Sequence, residues 1–164
     1  WTRGGTVYGP YGGVASGGSY YNPTTGAYGR GGSVYGPYGG AGAASYYNPS
    51  TGGYARGSAS WNAGGGYAQG SYYNSRTGVS GSTSQSANPY ARWGSSTFAG
   101  PNQTVRTESG SNARGSAGAF TSSTGAEGVG YRGAGGNTGG APGQFNALYC
   151  QLDGAVGFMK RTSS

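Results

Sequence analysis

Residues 20–30 read YYNPTTGAYGR, residues 46–56 read YYNPSTGGYAR, and residues 72–82 return as YYNSRTGVSGS. The middle of this phrase is turn chemistry. Proline presets the φ of the first turn residue, asparagine caps the turn through its side chain, and glycine supplies a left-handed residue at the exit. Asn22, Pro23 and Gly26, and again Asn48, Pro49 and Gly52, are therefore expected to close β-hairpins with a glycine bulge. The flanks alternate as strands do. Ala41, Ala43, Ser45 and Tyr47 fall on one face, against Gly42, Ala44 and Tyr46 on the other. Tyr54, Arg56, Ser58 and Ser60 likewise oppose Ala55, Gly57 and Ala59. No segment carries a 3.6-residue apolar period, and glycine is too dense for helix.

Working outward, the phrase belongs to a longer unit, GGxVYGPYGGxxxxxSYYNPxTGxYxR. Tyr21 to Tyr47, Pro23 to Pro49, Arg30 to Arg56 and Tyr47 to Tyr73 are each separated by 26 residues. Tyr8 to Tyr35 is separated by 27, so one residue is lost between the two halves of the second copy. In the third copy Trp61 stands in the place of Tyr35, and Gly65-Gly66 in the place of Gly39-Gly40. A period of this size is the mark of a repeat architecture in which each unit is stabilised by its neighbours. At about 13 residues per strand and turn, the spacing suits serial antiparallel β structure.

The expected fold is all-β: tandem antiparallel hairpins of about 26 residues, forming a thin stacked or solenoid-like sheet. Residues 1–83 carry the Gly/Tyr-rich hairpins, 84–144 a degenerate Gly/Ser/Thr-rich β region, and 145–164 a C-terminal hairpin turning on Asp153-Gly154. Within the middle region TVRTESGS alternates as a strand with one wet face. Ser-Thr-Gly between Phe120 and Tyr131 reads as a turn, and GAGGNTGGAPGQ as a loop.

Composition excludes an ordinary globule. Glycine accounts for 40 of 164 residues, isoleucine is absent, and leucine occurs only at Leu148 and Leu152. Against that stand 16 Tyr, 4 Phe and 3 Trp, so order has to be built from aromatic layers and close backbone packing. Tyr8, Tyr11, Tyr21, Tyr35, Tyr38, Tyr47, Trp61 and Tyr73 are the expected aromatic ladder. Arg3, Arg30 and Arg56 close each unit beside an aromatic ring, where cation–π contact is available.

Catalysis finds no footing. Histidine is absent, and the three acids, Glu108, Glu127 and Asp153, are far apart in sequence, so neither a metal site nor a carboxylate pair is expected. Serine has only Lys160 as a conceivable base, with nothing to place it. The glycine-rich stretches lack the context of a phosphate loop. No catalytic, cofactor or metal residues are assigned, and the chain is read as no enzyme. The lone Cys150 rules out an intrachain disulfide and leaves a buried thiol or pairing between chains. Asn102 heads the one N-glycosylation sequon, Asn102-Gln103-Thr104.

The net charge of +7 is sparse, and nine of the ten basic residues are arginine. Such a surface suits anionic polysaccharide, lipid headgroups or nucleic acid. The Arg-Gly pairs recur once per repeat rather than in dense clusters, which argues against nucleic acid as the main partner. No run of 18 apolar residues spans a membrane. The chain opens on Trp1 rather than Met, and export to the extracellular space or cell surface is the expectation.

The phrases VYGPYGG and YYNPxTGxYxRG, over residues 4–83, resemble those of Gly/Tyr-rich tandem-repeat proteins predicted to be exported by bacteria. That resemblance implies export and no particular activity. YYNPTTG is also similar to the hairpin of Rhs/YD-repeat proteins, whose Tyr-Asp repeats are absent here. The sequence thus points to a self-assembling subunit of an extracellular filament or matrix fibre, a homo-oligomer. The alternatives are a glycan-binding surface module and a disordered Tyr/Arg-rich polymer that binds nucleic acid.

Overall fold

The computed structural model of the protein describes residues 1–141. They form one sheet of twelve strands: β1 (Thr2–Tyr8), β2 (Val14–Asn22), β3 (Ala27–Gly36), β4 (Gly39–Asn48), β5 (Gly53–Asn62), β6 (Gly65–Asn74), β7 (Val79–Ala87), β8 (Ala91–Ala99), β9 (Thr104–Asn112), β10 (Gly115–Ser122), β11 (Glu127–Gly133) and β12 (Thr138–Ala141). Spatial order equals chain order, and every pairing is antiparallel. The all-β hairpin fold expected from the sequence is what is found.

The turns explain why the order never changes. Along one margin of the sheet lie four-residue loops at 23–26, 49–52, 75–78, 100–103 and 123–126. Asn22 Oδ1 accepts the Thr24 N–H at 3.0 Å, Asn48 Oδ1 accepts that of Ser50 at 3.0 Å, and Asn74 Oδ1 accepts that of Arg76 at 2.9 Å. Each of these three turns exits through a left-handed glycine, with φ of 68° at Gly26, 70° at Gly52 and 68° at Gly78. The eroded third copy keeps the turn because it keeps the asparagine and the glycine.

The opposite margin uses short turns at 37–38, 63–64, 88–90 and 113–114, with longer ones at 9–13 and 134–137. Asparagine recurs here too. Asn62, Asn88 and Asn112 accept the N–H groups of Gly64, Tyr90 and Arg114 at 2.8, 2.9 and 2.8 Å. Gly39, Gly65 and Gly115 restart the next strand at φ of 141°, 141° and 149°. A Cβ at any of them would strike a backbone carbonyl oxygen one strand further on, that of Trp61, Ala87 or Arg132. Only glycine lets the backbones meet there.

One feature departs from the sequence reading. The stretch GAGGNTGGAPGQ is not simply a loop. Gly133 N–H bonds Asn137 O at 2.8 Å, the chain reverses, and Thr138–Ala141 pairs with β11. The strand rhythm continues past residue 83, where the sequence repeat fades, as expected of a degenerate β region. Turn residues carry the rhythm, and the strand residues between them are free to vary. The expected hairpin of residues 145–164, with Asp153, Gly154 and Cys150, lies outside the described residues.

Nothing among the described residues packs over the sheet; substantial contacts join only strands adjacent in the chain. Ala27, Ala117 and Ala119 are the buried apolar side chains, in place of a core. Stability therefore rests on backbone ladders and cross-strand pairs, each pair contributing roughly 0.2–1 kcal/mol. No helix among the described residues is long and apolar enough to cross a membrane.

Candidate functional site

Residues opposite one another in antiparallel strands share a face, so the register sorts every side chain into rows. On the first face, the four-residue loop at 23–26 mirrors Tyr21 onto Tyr28. Later turns carry the row on to Tyr47, Tyr54 and Tyr73. Trp1 joins at the outer end: its ammonium donates to Tyr21 O at 2.6 Å, and its carbonyl accepts the Tyr21 N–H at 2.8 Å. Six adjacent chain segments thus present six aromatic rings in line. Trp1 and Tyr21 have centroids 5.9 Å apart, and Tyr28 meets Tyr47 edge-on at 6.1 Å.

The next row inward on the same face is Arg3, Ser19, Arg30, Ser45, Arg56 and Ser71. Arginine and serine alternate without a break across β1–β6. The guanidinium-bearing residues are exposed and the serines half-buried. Arg56 Nε donates to Ser71 Oγ at 3.2 Å, an arginine–serine contact within the row. No acidic residue occurs before Glu108 in the chain, so this half supplies no carboxylate to neutralise the row. Glu108 itself lies 3.5 Å from the Arg106 guanidinium.

A shallow concave band of about 870 Å³ crosses β3–β8 at the level of this row, taking in Arg30, Arg56, Ser45 and Ser71 and running on to Ser82 and Thr97. Hydroxyl and amide groups there form a network: Gln69 Nε2 donates to Ser58 Oγ at 3.3 Å, Tyr67 Oη to Gln69 Oε1 at 3.2 Å, and Ser84 Oγ to Tyr67 Oη at 3.3 Å.

The second face has a different chemistry. Its two middle rows over β1–β6 are small: Gly4, Gly18, Gly31, Ala44, Gly57, Gly70, and beside them Thr6, Ser16, Ser33, Gly42, Ala59, Ala68. Aromatic residues flank these rows on alternate strands, Tyr20, Tyr46, Tyr72 and Phe98 on one side and Tyr8, Tyr35 and Trp61 on the other. Each large ring but Tyr8, which faces Val14, has a small cross-strand neighbour. A Cβ at Gly40 would run into the Trp61 indole, and one at Gly81 would press on the Phe98 ring. From β1 to β7 no charged strand residue points to this face.

The ladder residues named from the sequence therefore belong to three places. Tyr21, Tyr47 and Tyr73 share the row on the first face, which also holds Tyr28, Tyr54 and Trp1. Tyr8, Tyr35 and Trp61 share a row on the second face. Tyr11 and Tyr38 sit at loop tips, 90% and 89% exposed. Tyr28 and Tyr54 were missed because each follows its turn rather than precedes it; mirroring Tyr21 and Tyr47 through the turns finds them. Asn102 is exposed in the loop at 100–103. No family model, curated protein or solved structure matches this chain.

Proposed function

We propose that the protein is a structural subunit of an extracellular filament or matrix fibre, assembling with further copies of itself through sheet stacking. The observation that supports this most is the second face. A one-layer sheet whose second face has a centre of Gly, Ala, Ser and Thr over β1–β6, flanking aromatic rows and no charge over β1–β7 suits a second sheet laid against it. Over β1–β7 that face covers roughly 1,000 Å² of plane, enough for the ~800 Å² per partner of a standard interface. The outer side of β1, unpaired among the described residues, adds a row of free N–H and C=O groups that a further strand can join.

Electron microscopy and fibre diffraction of the full chain at physiological salt test this. Filaments with reflections near 4.7–4.8 Å and about 10 Å or less are expected. Placing charge in the small rows, Ala44→Lys with Ala59→Lys, is expected to stop lateral assembly while circular dichroism still reports β structure. Dispersed monomers of the wild type at high concentration, or unchanged fibres in the lysine variant, would refute the proposal.

A further inference from the structure

The first face has a chemistry independent of assembly. We infer that the Arg3–Arg30–Arg56 row, with the aromatic row beside it, is a binding track for a linear acidic polysaccharide that carries carboxylates on alternate sugars. Three observations converge on it. The arginines sit on alternate strands, β1, β3 and β5, hence about 10 Å apart, with a serine hydroxyl between each pair. No acid in the first 107 residues neutralises them. Rings of the parallel aromatic row lie along the whole track, offering flat apolar surface to pyranose faces.

Each element has a chemical counterpart in such a polymer. A guanidinium fork matches a carboxylate with two parallel N–H···O bonds. Ser19, Ser45 and Ser71 match the hydroxyls of the intervening neutral sugar. The concave band through Arg30 and Arg56 extends the track towards β8 over hydroxyl-lined surface. A nucleic acid fits less well. Its phosphates follow one another every ~3.4 Å per strand in a duplex, so a cation at every second β-strand leaves most of them without a partner.

The test uses the full chain and soluble hyaluronate, whose carboxylates fall on every second sugar, as the probe, with galactomannan and poly(U) as comparators, followed by titration calorimetry at several salt concentrations. Hyaluronate is expected to bind most tightly, with affinity falling as salt rises. The variant Arg3→Gln/Arg30→Gln/Arg56→Gln is expected to lose about tenfold or more in affinity. Arg76→Gln/Arg92→Gln/Arg132→Gln removes the same charge elsewhere and is expected to stay within about twofold. Arg30→Lys with Arg56→Lys keeps the charge but loses the fork, and is expected to bind a few-fold more weakly with an unchanged salt slope. It also covers the case in which glutamine disturbs the sheet. Equal losses in the two glutamine variants would reduce the effect to net charge and overturn the track. Tighter binding of poly(U) would assign the face to nucleic acid, and equal binding of galactomannan would remove the arginines from the argument. The outcome is independent of whether the protein forms fibres.

Discussion

The sheet's first six strands and its last six follow the same hairpin rhythm with different chemistry. In β1–β6 the first face is an aromatic row beside an arginine–serine row. In β7–β9 the corresponding positions are Ser80, Ala99 and Thr104, then Ser82, Thr97 and Arg106. There the charges of the first face pair locally as Arg106 and Glu108, and on the second face hydroxyl pairs join the strands, such as Ser96 Oγ to Thr83 Oγ1 at 3.0 Å. Turn residues set register, and the residues between turns decide what each face does. Chemistry can be exchanged along such a sheet without exchanging topology.

The largest effect should come from breaking the shared part. Gly65→Val places a Cβ against the Ala87 carbonyl at a φ of 141°, and is expected to cost about 3 kcal/mol or more. Gly5→Val meets nothing within 4 Å and has ordinary φ. It is expected to be neutral within about 0.5 kcal/mol, or slightly stabilising. Urea denaturation midpoints for the two variants decide the point, and equal losses would contradict the account of the short turns.

Next in size are the asparagine caps. Asn48→Ala removes the acceptor for both the Ser50 N–H and the Ser50 hydroxyl, the latter at 2.6 Å. A loss of about 1 kcal/mol is expected. Pro101 in the loop at 100–103 holds its turn without an asparagine before it, so Gly100→Asn is expected to recover stability there by a few tenths of a kcal/mol. Thermal melts of both variants would sharpen the contrast between the two halves.

A smaller effect distinguishes the face chemistries. A double-mutant cycle on Tyr28→Ala and Tyr47→Ala is expected to give a coupling of about 0.5 kcal/mol. Continuing the row by Ser80→Tyr, opposite Tyr73, should add a similar amount. The smallest effect is expected for Arg106→Ala. Its pair with Glu108 is solvent-exposed at 3.5 Å, with the arginine side chain 63% accessible, and should change stability by no more than about 0.5 kcal/mol.

The sequence revealed the architecture through its punctuation. Asn22, Pro23 and Gly26 recur at a fixed distance, and two residues of a repeated turn suffice to set a strand length. What escaped it was lateral order. The ladder residues were chosen by their likeness within the repeat, and likeness along the chain is not adjacency across a sheet. Tyr8 and Tyr21 sit in one unit yet on opposite faces. Asn62 and Asn112 escaped because their turns lack the proline that made the first set visible, whereas Asn88 precedes Pro89. Thr138–Ala141 escaped because a strand of small residues has no alternation to read.

The identity of spatial and chain order has a mechanical consequence. Force applied between β1 and β12 acts across the sheet, along the direction of the interstrand hydrogen bonds. The ladders are then loaded one bond pair at a time rather than all together in shear. A hairpin released from the edge frees 26 residues, about 90 Å of contour, before the next is engaged. A sheet of this kind yields in small steps at low tension and re-forms when slack returns, the behaviour of a spring that dissipates a pull rather than a strut that resists it.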